Sequence, residues 1–492
     1  MKLESGGRPF PEVAELAARI ASLEGIPTVL DFGCAWTAEM TIRHPELKVT
    51  GIGQWVAKER SRPSAFPFTS LLDISSEQGL RALSRIDATR CVAVLTDPSE
   101  SPKNWDKAST AIDAVIAAAP LTILATTTPE GVLPHLEAAG LTPTFLGRTR
   151  ASEQDEERTA TLIVVDRSLR DVGPAPSEFR VVAIMTTYNE EDVIGPSIGK
   201  LVADGIGVYL IDNWSTDRTH AIAAEFMGRG LVGLERFPDA PTDRYEWRSL
   251  LGRVEDVAAS SEADWLIHHD ADERRCGPWA GLGLRDALWK VDQSGFSAVD
   301  HTVLNFQPID NGFVPGGDFE ACLRHFEFGR GAGMLLQIKA WKNLGRVDLA
   351  SDGGHEAVFP GRRVFPYKFE LKHYPIRSQL HGELKVFRDR VARWDPNERA
   401  IGWHRHYDDV RPQQSFLRDA GDLIEDCGAE TRARFLAEMV SGAGLAQHTL
   451  PAWALRGPAG RGAYLAVRRL GRSRAYGRLH RALGRVRRRL TT

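Results

Sequence analysis

Three acidic residues follow a short apolar run near the middle of the chain, in the stretch DWLIHHDADERR. Asp270 and Asp272 stand two positions apart, and Glu273 follows directly. Two carboxylates at this spacing across a turn can share one Mg²⁺ or Mn²⁺, and diphosphate oxygens complete the oxygen-rich shell that these cations prefer. A bound cation would offset charge on a departing diphosphate. A single D-x-D is also common at solvated strand ends, so its neighbours decide the interpretation.

Two further polar loops precede this acidic cluster, and each follows an apolar run typical of a buried strand. The first loop is TTYNEED at 186–192, and the second is IDNWSTDRT at 211–219. In open α/β sheets, ligands bind at the edge where the carboxyl ends of the strands meet. The three loops in series therefore favour a nucleotide site over a surface charge patch.

The elements that must position these loops form two α/β series. Residues 27–166 alternate strand-like runs such as PTVLDFG and TATLIVVD with helix-compatible stretches, and the Pro-rich stretch 170–179 is typical of a linker. In the second series, Ile194, Ile198 and Leu201 have helical spacing. We expect two doubly wound α/β domains and a helical C-terminal region. The expected boundaries are 1–170 for the first domain, 171–179 for the linker, 180–395 for the second domain and 396–492 for the helical region.

The second series resembles the glycosyltransferase family 2 type of GT-A domain over about residues 179–390. That family has YNE after its first strand, DNGSTDGT after the second and hDaDE after a later one. The corresponding residues here are Tyr188-Asn189-Glu190, Asp212 to Thr219, and Asp270-Ala271-Asp272-Glu273. Trp214 and Arg218 replace the usual glycines of the second motif. The resemblance implies transfer of a sugar from a nucleotide-diphosphate donor to an acceptor hydroxyl, with inversion at the anomeric carbon.

The same resemblance implies roles for the residues of the three loops. Asp270 would contact the ribose or the sugar, and Asp272, together with Asp270, would hold Mn²⁺ or Mg²⁺. His373, at the end of a later strand, would add a nitrogen ligand to that ion. The residues implied to hold the nucleoside are Thr187, Tyr188, Glu190 and Asp212.

The stretches SDGGHEAVF and LKHYPIRS are similar to later motifs of a subgroup of this family. The glycines of the first stretch can bring backbone close to a substrate. Inversion requires one general base opposite the leaving group. Glu356 is the first candidate for that base, His355 is the alternative, and Glu273 is a third candidate whose more favoured role is to hold Arg274 or its loop. Arg377 and Lys385 are predicted to face the diphosphate.

The N-terminal stretches VLDFGCAWTAE and VTGIGQ resemble the first two motifs of class I S-adenosylmethionine-dependent methyltransferases. Asp31 and Gly33 match those motifs. Ala35 and Thr37 stand at later glycine positions, and Gly53 stands where a ribose-binding acid is usual. These departures predict a degenerate domain with a scaffold or recognition role. The alternative is an active methyltransferase, which would make the chain bifunctional.

The C-terminal end differs in charge from the rest of the chain. Net charge is −3, yet residues 439–492 contain twelve arginines and no Asp or Glu. Apolar residues at 476, 479, 483, 486 and 490 share one helical face, which predicts a basic amphipathic helix on an anionic membrane surface. A helix docked on the acidic body is the alternative. Nucleic acid is not expected as a partner, because no aromatic stacking platform accompanies the arginines.

Cysteine spacing and the N-terminal residues indicate the cellular compartment in which we expect the protein. The five cysteines show no zinc or disulfide spacing, and the N-terminal residues include no apolar signal segment. We therefore expect a cytoplasmic protein that is peripheral at the inner face of the cell membrane. The expected acceptor is a glycan or a lipid-linked molecule of cell-surface polysaccharide biosynthesis. A non-catalytic sugar-nucleotide or glycan-binding protein is a further alternative, and the presence of both D-x-D aspartates argues against it.

Overall fold

The computed structural model describes residues 172–426, with gaps at 280, 330–333, 335, 366 and 401–409, together with seven earlier strands and residues 85, 118 and 119. The basic C-terminal segment, the predicted helices between the seven strands and part of the linker lie outside the described residues. The seven strands are β1 Thr28–Phe32, β2 Lys48–Gly53, β3 Ser70–Asp73, β4 Cys91–Thr96, β5 Leu121–Thr126, β6 Phe145–Arg150 and β7 Thr159–Asp166.

These seven strands form one sheet in the order β3-β2-β1-β4-β5-β7-β6. The strands run parallel except β7, which is antiparallel to both β5 and β6. The order reverses between β1 and β4, as it does in doubly wound sheets. The strand positions agree with the α/β pattern predicted for this part of the chain.

Residues 172–426 contain two further sheets with helices between their strands. The strands are β8 Val181–Thr187, β9 Gly207–Asp212, β10 Leu231–Arg236, β11 Trp265–Asp270, β12 Glu273–Cys276, β13 Ala298–Val299, β14 His301–Gln307, β15 His325–Phe328, β16 Ala340–Lys342, β17 Phe369–His373 and β18 Ile424–Glu425. The α-helices are α1 Ile194–Ala203, α2 Thr219–Ala224, α3 Trp247–Ser260, α4 Leu284–Gln293, α5 Phe319–Cys322, α6 Gln379–Glu383 and α7 Pro396–Ala400. A π-helical segment, Leu384–Arg390, continues α6, and 3₁₀ turns occupy Ala350–Asp352, Val391–Arg393 and Ala420–Asp422.

The larger of these two sheets has the order β10-β9-β8-β11-β16-β13. β10, β9, β8 and β11 are parallel, and β16 is antiparallel to β11. The chain moves outward from β8 to β9 and β10 and then returns to place β11 on the other side of β8. The crevice at the carboxyl ends of β8 and β11 is therefore a topological switch point, which is where open α/β sheets bind ligands.

Both faces of this sheet are covered, which explains the continuous apolar runs of its strands. Ala183 and Met185 of β8 pack with buried residues of α1, including Ile194, Ile198 and Leu201 as their spacing predicts. Ile184, between them in sequence, faces the other side and packs with α3. Burial on both faces fixes the direction of β8 and thus the place where its loop leaves the sheet.

The smaller sheet has the order β12-β17-β14-β15-β18. β12 begins at Glu273, the last residue of the DADE stretch, and its pairing with β17 sets Glu273 opposite His373. β18 pairs with β15, so strand pairing continues past the predicted boundary at residue 395. Within the described part of the chain, no helix is long and apolar enough to span a membrane.

Candidate functional site

The first two polar loops are joined by hydrogen bonds at the carboxyl edge of the larger sheet. The backbone N–H of Asn189 donates to Ser215 Oγ at 3.0 Å, and that of Glu190 donates to Thr219 Oγ1 at 2.8 Å. Asn189 Oδ1 in turn accepts from the N–H of Thr216 at 2.8 Å. Asn189 adopts a left-handed φ of 54°, which asparagine tolerates better than most residues. The two motifs therefore form one rigid unit.

Trp214 occupies a position where the motif that this loop resembles has glycine, and the φ of Trp214 is 59°. Glycine adopts such a conformation without steric cost, whereas tryptophan requires compensation. The indole Nε1–H donates to the carbonyl of Pro238 at 2.7 Å, and the Arg236 guanidinium lies 5.0 Å from the ring centroid. These contacts hold the second loop in a glycine-like shape with an aromatic ring at its tip.

Thr187 and Asp212 are direct partners in the pairing of β8 with β9, so their side chains share one face of the sheet. Among the described residues, Thr187 Oγ1 and Asp212 Oδ2 have no hydrogen-bond partner although both atoms are buried. Arg236 Nε lies 3.4 Å from Asp212 Oδ2, close enough for charge attraction but without hydrogen-bond geometry. Buried polar atoms without partners are costly, and a polar ligand at this edge would satisfy them.

Tyr188, between the first strand and Glu190, packs against a residue from the C-terminal side of the domain. The Arg393 guanidinium lies 3.7 Å from the Tyr188 ring centroid. Arg393 Nη2 also donates to Asn213 Oδ1 at 3.2 Å. The aromatic ring of the first motif is therefore held against the second motif by one arginine.

Each aspartate of the D-x-D pair is bonded to a lysine. Lys339 Nζ lies 2.8 Å from Asp270 Oδ2, and Lys385 Nζ lies 2.7 Å from Asp272 Oδ2. Lys385 also bonds Glu190 Oε1 at 2.8 Å, which links the first loop to the third. Both lysines are almost fully buried. The crevice is therefore a network of paired charges.

The ion pairs shift the pKa values of the acids. Burial alone would raise the pKa of Asp272, but attraction to Lys385 and Arg377 outweighs burial and holds it well below its usual range. Attraction to Arg275 and Lys339 likewise outweighs burial and lowers the pKa of Glu273. Both acids are therefore ionised at neutral pH and can attract a cation.

His373 and Asp272 face each other in a way that suits a shared metal ion. His373 Nδ1 lies 3.0 Å from Asn305 Oδ1, and that oxygen can only accept, so the imidazole proton is on Nδ1. His373 Nε2 then carries a lone pair and lies 3.8 Å from Asp272 Oδ1. This distance is too long for a hydrogen bond, whereas a cation between the two atoms would satisfy both. The donor set, one carboxylate and one imidazole, suits Mn²⁺ better than Ca²⁺.

Among the described residues, another acidic group also converges at metal-like distances, formed by Glu190, Asp192 and His381. Its centre is taken by Arg377. One guanidinium nitrogen, Nη2, lies 2.7 Å from Glu190 Oε2, 2.8 Å from Asp192 Oδ1 and 2.6 Å from His381 Nε2. The cation that these three groups hold is therefore the arginine, and we do not assign a metal to them.

Arg377 and Lys385 both lie beside acidic residues of the crevice. Arg377 is fully buried, and further N–H groups of its guanidinium donate to Asp192 and to the Tyr374 carbonyl. Arg377 Nη1 lies 3.8 Å from Asp272 Oδ2, so Arg377 both supports the first loop and approaches the third. Lys385 lies closer to the acidic pair, against Asp272.

The double-glycine turn lies behind the third strand. Gly353 and Gly354 both have left-handed φ values, 67° and 84°. The Gly354 carbonyl accepts from His268 Nδ1 at 3.2 Å, and the Gly353 carbonyl accepts from Trp247 Nε1 at 2.9 Å. The turn is therefore fixed to β11 two residues before Asp270.

The two predicted bases follow this turn directly. Glu356 is almost fully buried, and its Oε1 lies 2.6 Å from Arg362 Nη2. His355 is half-buried, and its Nδ1 lies 2.9 Å from Gln337 Nε2. Backbone bonds of this stretch to Ile338 place both residues beside the segment that contains Lys339 and leads into β16.

Gly354→Ala is expected to destabilise the protein by about 1–3 kcal/mol. An added Cβ would lie 2.9 Å from Leu251 Cδ2 and 3.1 Å from both His268 Cε1 and Trp247 Cζ2, at a positive φ. The matched control is Gly361→Ala, where φ is also positive, 74°, but no atom lies within 4 Å. Urea unfolding of both variants separates packing from backbone strain, and equal losses would contradict the packing argument.

Stability is expected to fall between pH 7 and pH 5 because of His301. Burial, aided by nearby Arg275, lowers the pKa of His301 to about 3, whereas the unfolded chain protonates it near 6.5. The contribution is complete above about pH 6.5 and is lost as pH falls towards 3, at up to about 1.4 kcal/mol per pH unit. His301→Gln keeps an N–H for the Gln337 carbonyl that His301 Nδ1 contacts at 2.8 Å. Wild type should lose about 2 kcal/mol more than this variant between pH 7 and pH 5, and parallel pH profiles would contradict the assignment.

No protein-family model and no curated protein matches the chain. Solved structures match parts of it. TarS residues 1–349 from S. aureus, in complex with UDP, is 19% identical over 29% of this chain and 39% of that chain, with a TM-score of 0.20. The mannosyltransferase PcManGT from Pyrobaculum calidifontis, with GDP-Man and Mn²⁺, is 16% identical over 62% of this chain and 84% of that chain, with a TM-score of 0.25.

A third matching structure is glucosyl-3-phosphoglycerate synthase from Mycobacterium tuberculosis, in complex with phosphoglyceric acid. It is 16% identical over 34% of this chain and 58% of that chain, with a TM-score of 0.19. This chain thus spans less than two thirds of the length of TarS and of the synthase. Given these low similarities, the functional assignment rests on this chain's own strand order and side-chain geometry.

Proposed function

We propose that the domain beginning at residue 180 is a glycosyltransferase that moves a sugar from a nucleotide-diphosphate donor to an acceptor hydroxyl. The observation that carries this proposal is the meeting of three loops at the β8–β11 switch point. There Glu190 of the first loop and Asp272 of the third bond the same lysine, Lys385. A nucleotide site needs polar groups for the nucleoside and acids for a cation, and this crevice offers both.

The first two loops are suited to the nucleoside. Thr187 Oγ1 and Asp212 Oδ2 are buried polar atoms that lack hydrogen-bond partners in the described structure. A nucleotide base or a ribose would supply those partners. Tyr188 adds an aromatic ring beside them. Glu190 is held by Arg377 and Lys385, so its role in donor binding is to fix the loop.

The third loop is suited to the diphosphate. Asp272 and His373 are the residues that would hold Mn²⁺ or Mg²⁺, and such an ion stabilises the charge of the departing diphosphate when bound. Lys385 places a second positive charge against Asp272. Asp270 keeps about a third of its side chain exposed, which leaves it accessible to the donor ribose or sugar.

The general base for an inverting reaction is proposed among the residues after the double-glycine turn. Arg362 Nη2 lies 2.6 Å from Glu356 Oε1, and His355 is the more exposed of the two candidates. A base works only within hydrogen-bond reach of the acceptor hydroxyl. The acceptor is proposed to be a glycan or a lipid-linked molecule.

A thermal-shift screen of nucleotide sugars with Mn²⁺ tests donor binding. We expect at least one donor to raise the unfolding midpoint in the presence of Mn²⁺, because ligands that bind only the folded state stabilise it. Donor binding without release of nucleoside diphosphate would favour the non-catalytic binding protein instead. A folded protein that binds no nucleotide sugar would contradict the proposal.

For the N-terminal part, we propose a degenerate methyltransferase-like domain with a scaffold or recognition role. The reversal of strand order between β1 and β4 supports a doubly wound sheet. β2 ends at Gly53, where a ribose-binding acid is usual. A stoichiometric affinity for S-adenosylmethionine in calorimetry would favour the bifunctional alternative.

Deleting residues 456–492 is expected to release the protein from anionic vesicles. This segment carries all twelve arginines of the acid-free C-terminal end, and each basic residue near an anionic surface contributes about 1 kcal/mol. Flotation of the full-length and truncated proteins with anionic and neutral vesicles measures the effect. Equal recovery of the two forms with anionic vesicles would contradict a membrane-binding tail.

A further inference from the structure

Lys339 reaches the acidic cluster from the position directly before β16. The backbone carbonyl of Lys339 accepts from the His268 N–H at 2.8 Å, so the two residues are opposite each other and their side chains share one face. Asp270 is two residues beyond His268 in β11 and therefore lies on that face too. Lys339 Nζ bonds Asp270 Oδ2 at 2.8 Å and Glu273 Oε1 at 3.1 Å, and only 5% of the residue is exposed.

Glu273 fixes this lysine in place. Its other oxygen, Oε2, accepts from the Asp270 N–H at 3.2 Å and from Arg275 Nη2 at 2.5 Å. Glu273 is 3% exposed, and both of its oxygens are used. The lysine therefore cannot leave Asp270 without stranding a buried carboxylate, which is strongly unfavourable.

The charges of the two halves of the D-x-D differ. Around Asp270, the acids Asp270 and Glu273 balance Lys339 and Arg275, so the group has no net charge. Around the second aspartate, three acids face two bases, which leaves one negative charge in excess. The acids are Asp272, Glu190 and Asp192, and the bases are Arg377 and Lys385.

We propose that Lys339 is a positioning residue that acts as a built-in cation for Asp270 and thereby confines the divalent ion to Asp272 and His373. Asp270 is then held by an ammonium group, and its exposed part is free for the donor. This inference rests on the proposed function for the identity of the donor, but its statement about metal binding does not need a sugar.

Calorimetric titration of the full-length protein with Mn²⁺ alone tests the proposal. Wild type should bind one ion at this site, Asp272→Asn should weaken binding at least 30-fold, and Asp270→Asn should change it less than about threefold, since the Asp270 carboxylate is already paired with Lys339. Loss of binding in Asp270→Asn to the same extent as in Asp272→Asn would overturn the inference, as would a wild type that binds no Mn²⁺.

Lys339 itself is tested by replacement with methionine. We expect Lys339→Met to bind Mn²⁺ at least tenfold more tightly or to take up a second ion, because Asp270 and Glu273 lose the cation that they share. Lys339→Arg should restore wild-type binding. Lys342→Met is the control, since Lys342 lies at the end of β16 and bonds Asp292, away from the acidic cluster. Unchanged Mn²⁺ binding in Lys339→Met would overturn the inference, and if that variant does not fold, the Asp270→Asn titration decides alone.

The outcome separates the two proposals. If Mn²⁺ binds as described but no nucleotide sugar binds or reacts, the positioning role of Lys339 stands and the proposed function falls. If a donor is turned over but Asp270→Asn abolishes Mn²⁺ binding, the function stands and the positioning role falls.

Discussion

Asp272→Asn is expected to lower the rate of nucleoside diphosphate release by about 100- to 1,000-fold or more. The substitution removes the negative charge that faces His373 Nε2 across 3.8 Å and that bonds Lys385 at 2.7 Å. It keeps the size of the side chain and one oxygen, so the loop retains its shape. The effect therefore reports on charge and metal binding and not on packing.

Parallel measurements of turnover and donor affinity identify the cause. We expect the rate to fall far more than the affinity for the nucleotide, since Thr187 and Asp212 lie in other loops and remain intact. Asp264→Asn is a matched control directly before β11, the strand that leads to the D-x-D turn, and Asp264 Oδ2 accepts from the Arg180 N–H at 2.7 Å. Full activity in Asp272→Asn, or an equal loss in Asp264→Asn, would rule out the proposed role.

Arg377→Met is expected to destabilise the protein by about 3–5 kcal/mol. Arg377 is completely buried and holds Glu190 and Asp192 through contacts of 2.7 Å each. Without the guanidinium, these two carboxylates keep their charge but lose most of its compensation. Arg377→Lys should recover only part of the loss, because one ammonium group cannot reproduce the planar fork that bonds both acids.

Two further substitutions, added to Arg377→Met, separate the effect of lost charge pairing from that of lost packing. Adding Glu190→Gln and Asp192→Asn to Arg377→Met removes the stranded charges, so urea unfolding should show a smaller loss than that of Arg377→Met alone. If the triple variant is instead less stable than Arg377→Met, by the sum of the losses that the two added substitutions cause separately, the ion pairs of Arg377 do not support the first loop.

The sequence predicted the strands that carry the three loops because they are buried on both faces. VVAIM, GVYLID and WLIHH are nearly continuous apolar runs, and each becomes a parallel strand of the larger sheet. The polar residues that follow each run are then placed at one edge by topology alone. For the same reason, the sequence predicted that Asp270 and Asp272 lie at the same sheet edge as the first loop.

The sequence did not reveal the basic partners of these acids. Lys339 is 69 residues from Asp270, and Arg377 is 187 residues from Glu190. Such pairs depend on how strands and helices pack, which local patterns do not specify. One signal of a buried ion pair was present in the sequence. Lys339 stands in the mostly apolar stretch LLQIKAW, and a charged side chain in a buried segment needs a partner of opposite charge.

The segment after residue 379 shows a similar limit. The sequence did not predict the π-helical stretch Leu384–Arg390 that continues α6. Arg377, His381 and Lys385 follow one another at intervals of four residues. Arg377 and Lys385 bond acids of the crevice, and His381 contacts Arg377. The repeated spacing of basic residues was a signal that they share one face, whereas the acids that they meet became evident only from the fold.

The most direct test of the central claim is to incubate the full-length protein with Mn²⁺ and each nucleotide sugar of a panel and to measure nucleoside diphosphate release by NMR. We expect release from at least one donor, dependent on Mn²⁺, and stimulated by the correct hydroxyl acceptor. A folded protein that binds and consumes none of the donors would contradict the assignment of the β8–β11 crevice as a nucleotide-sugar site.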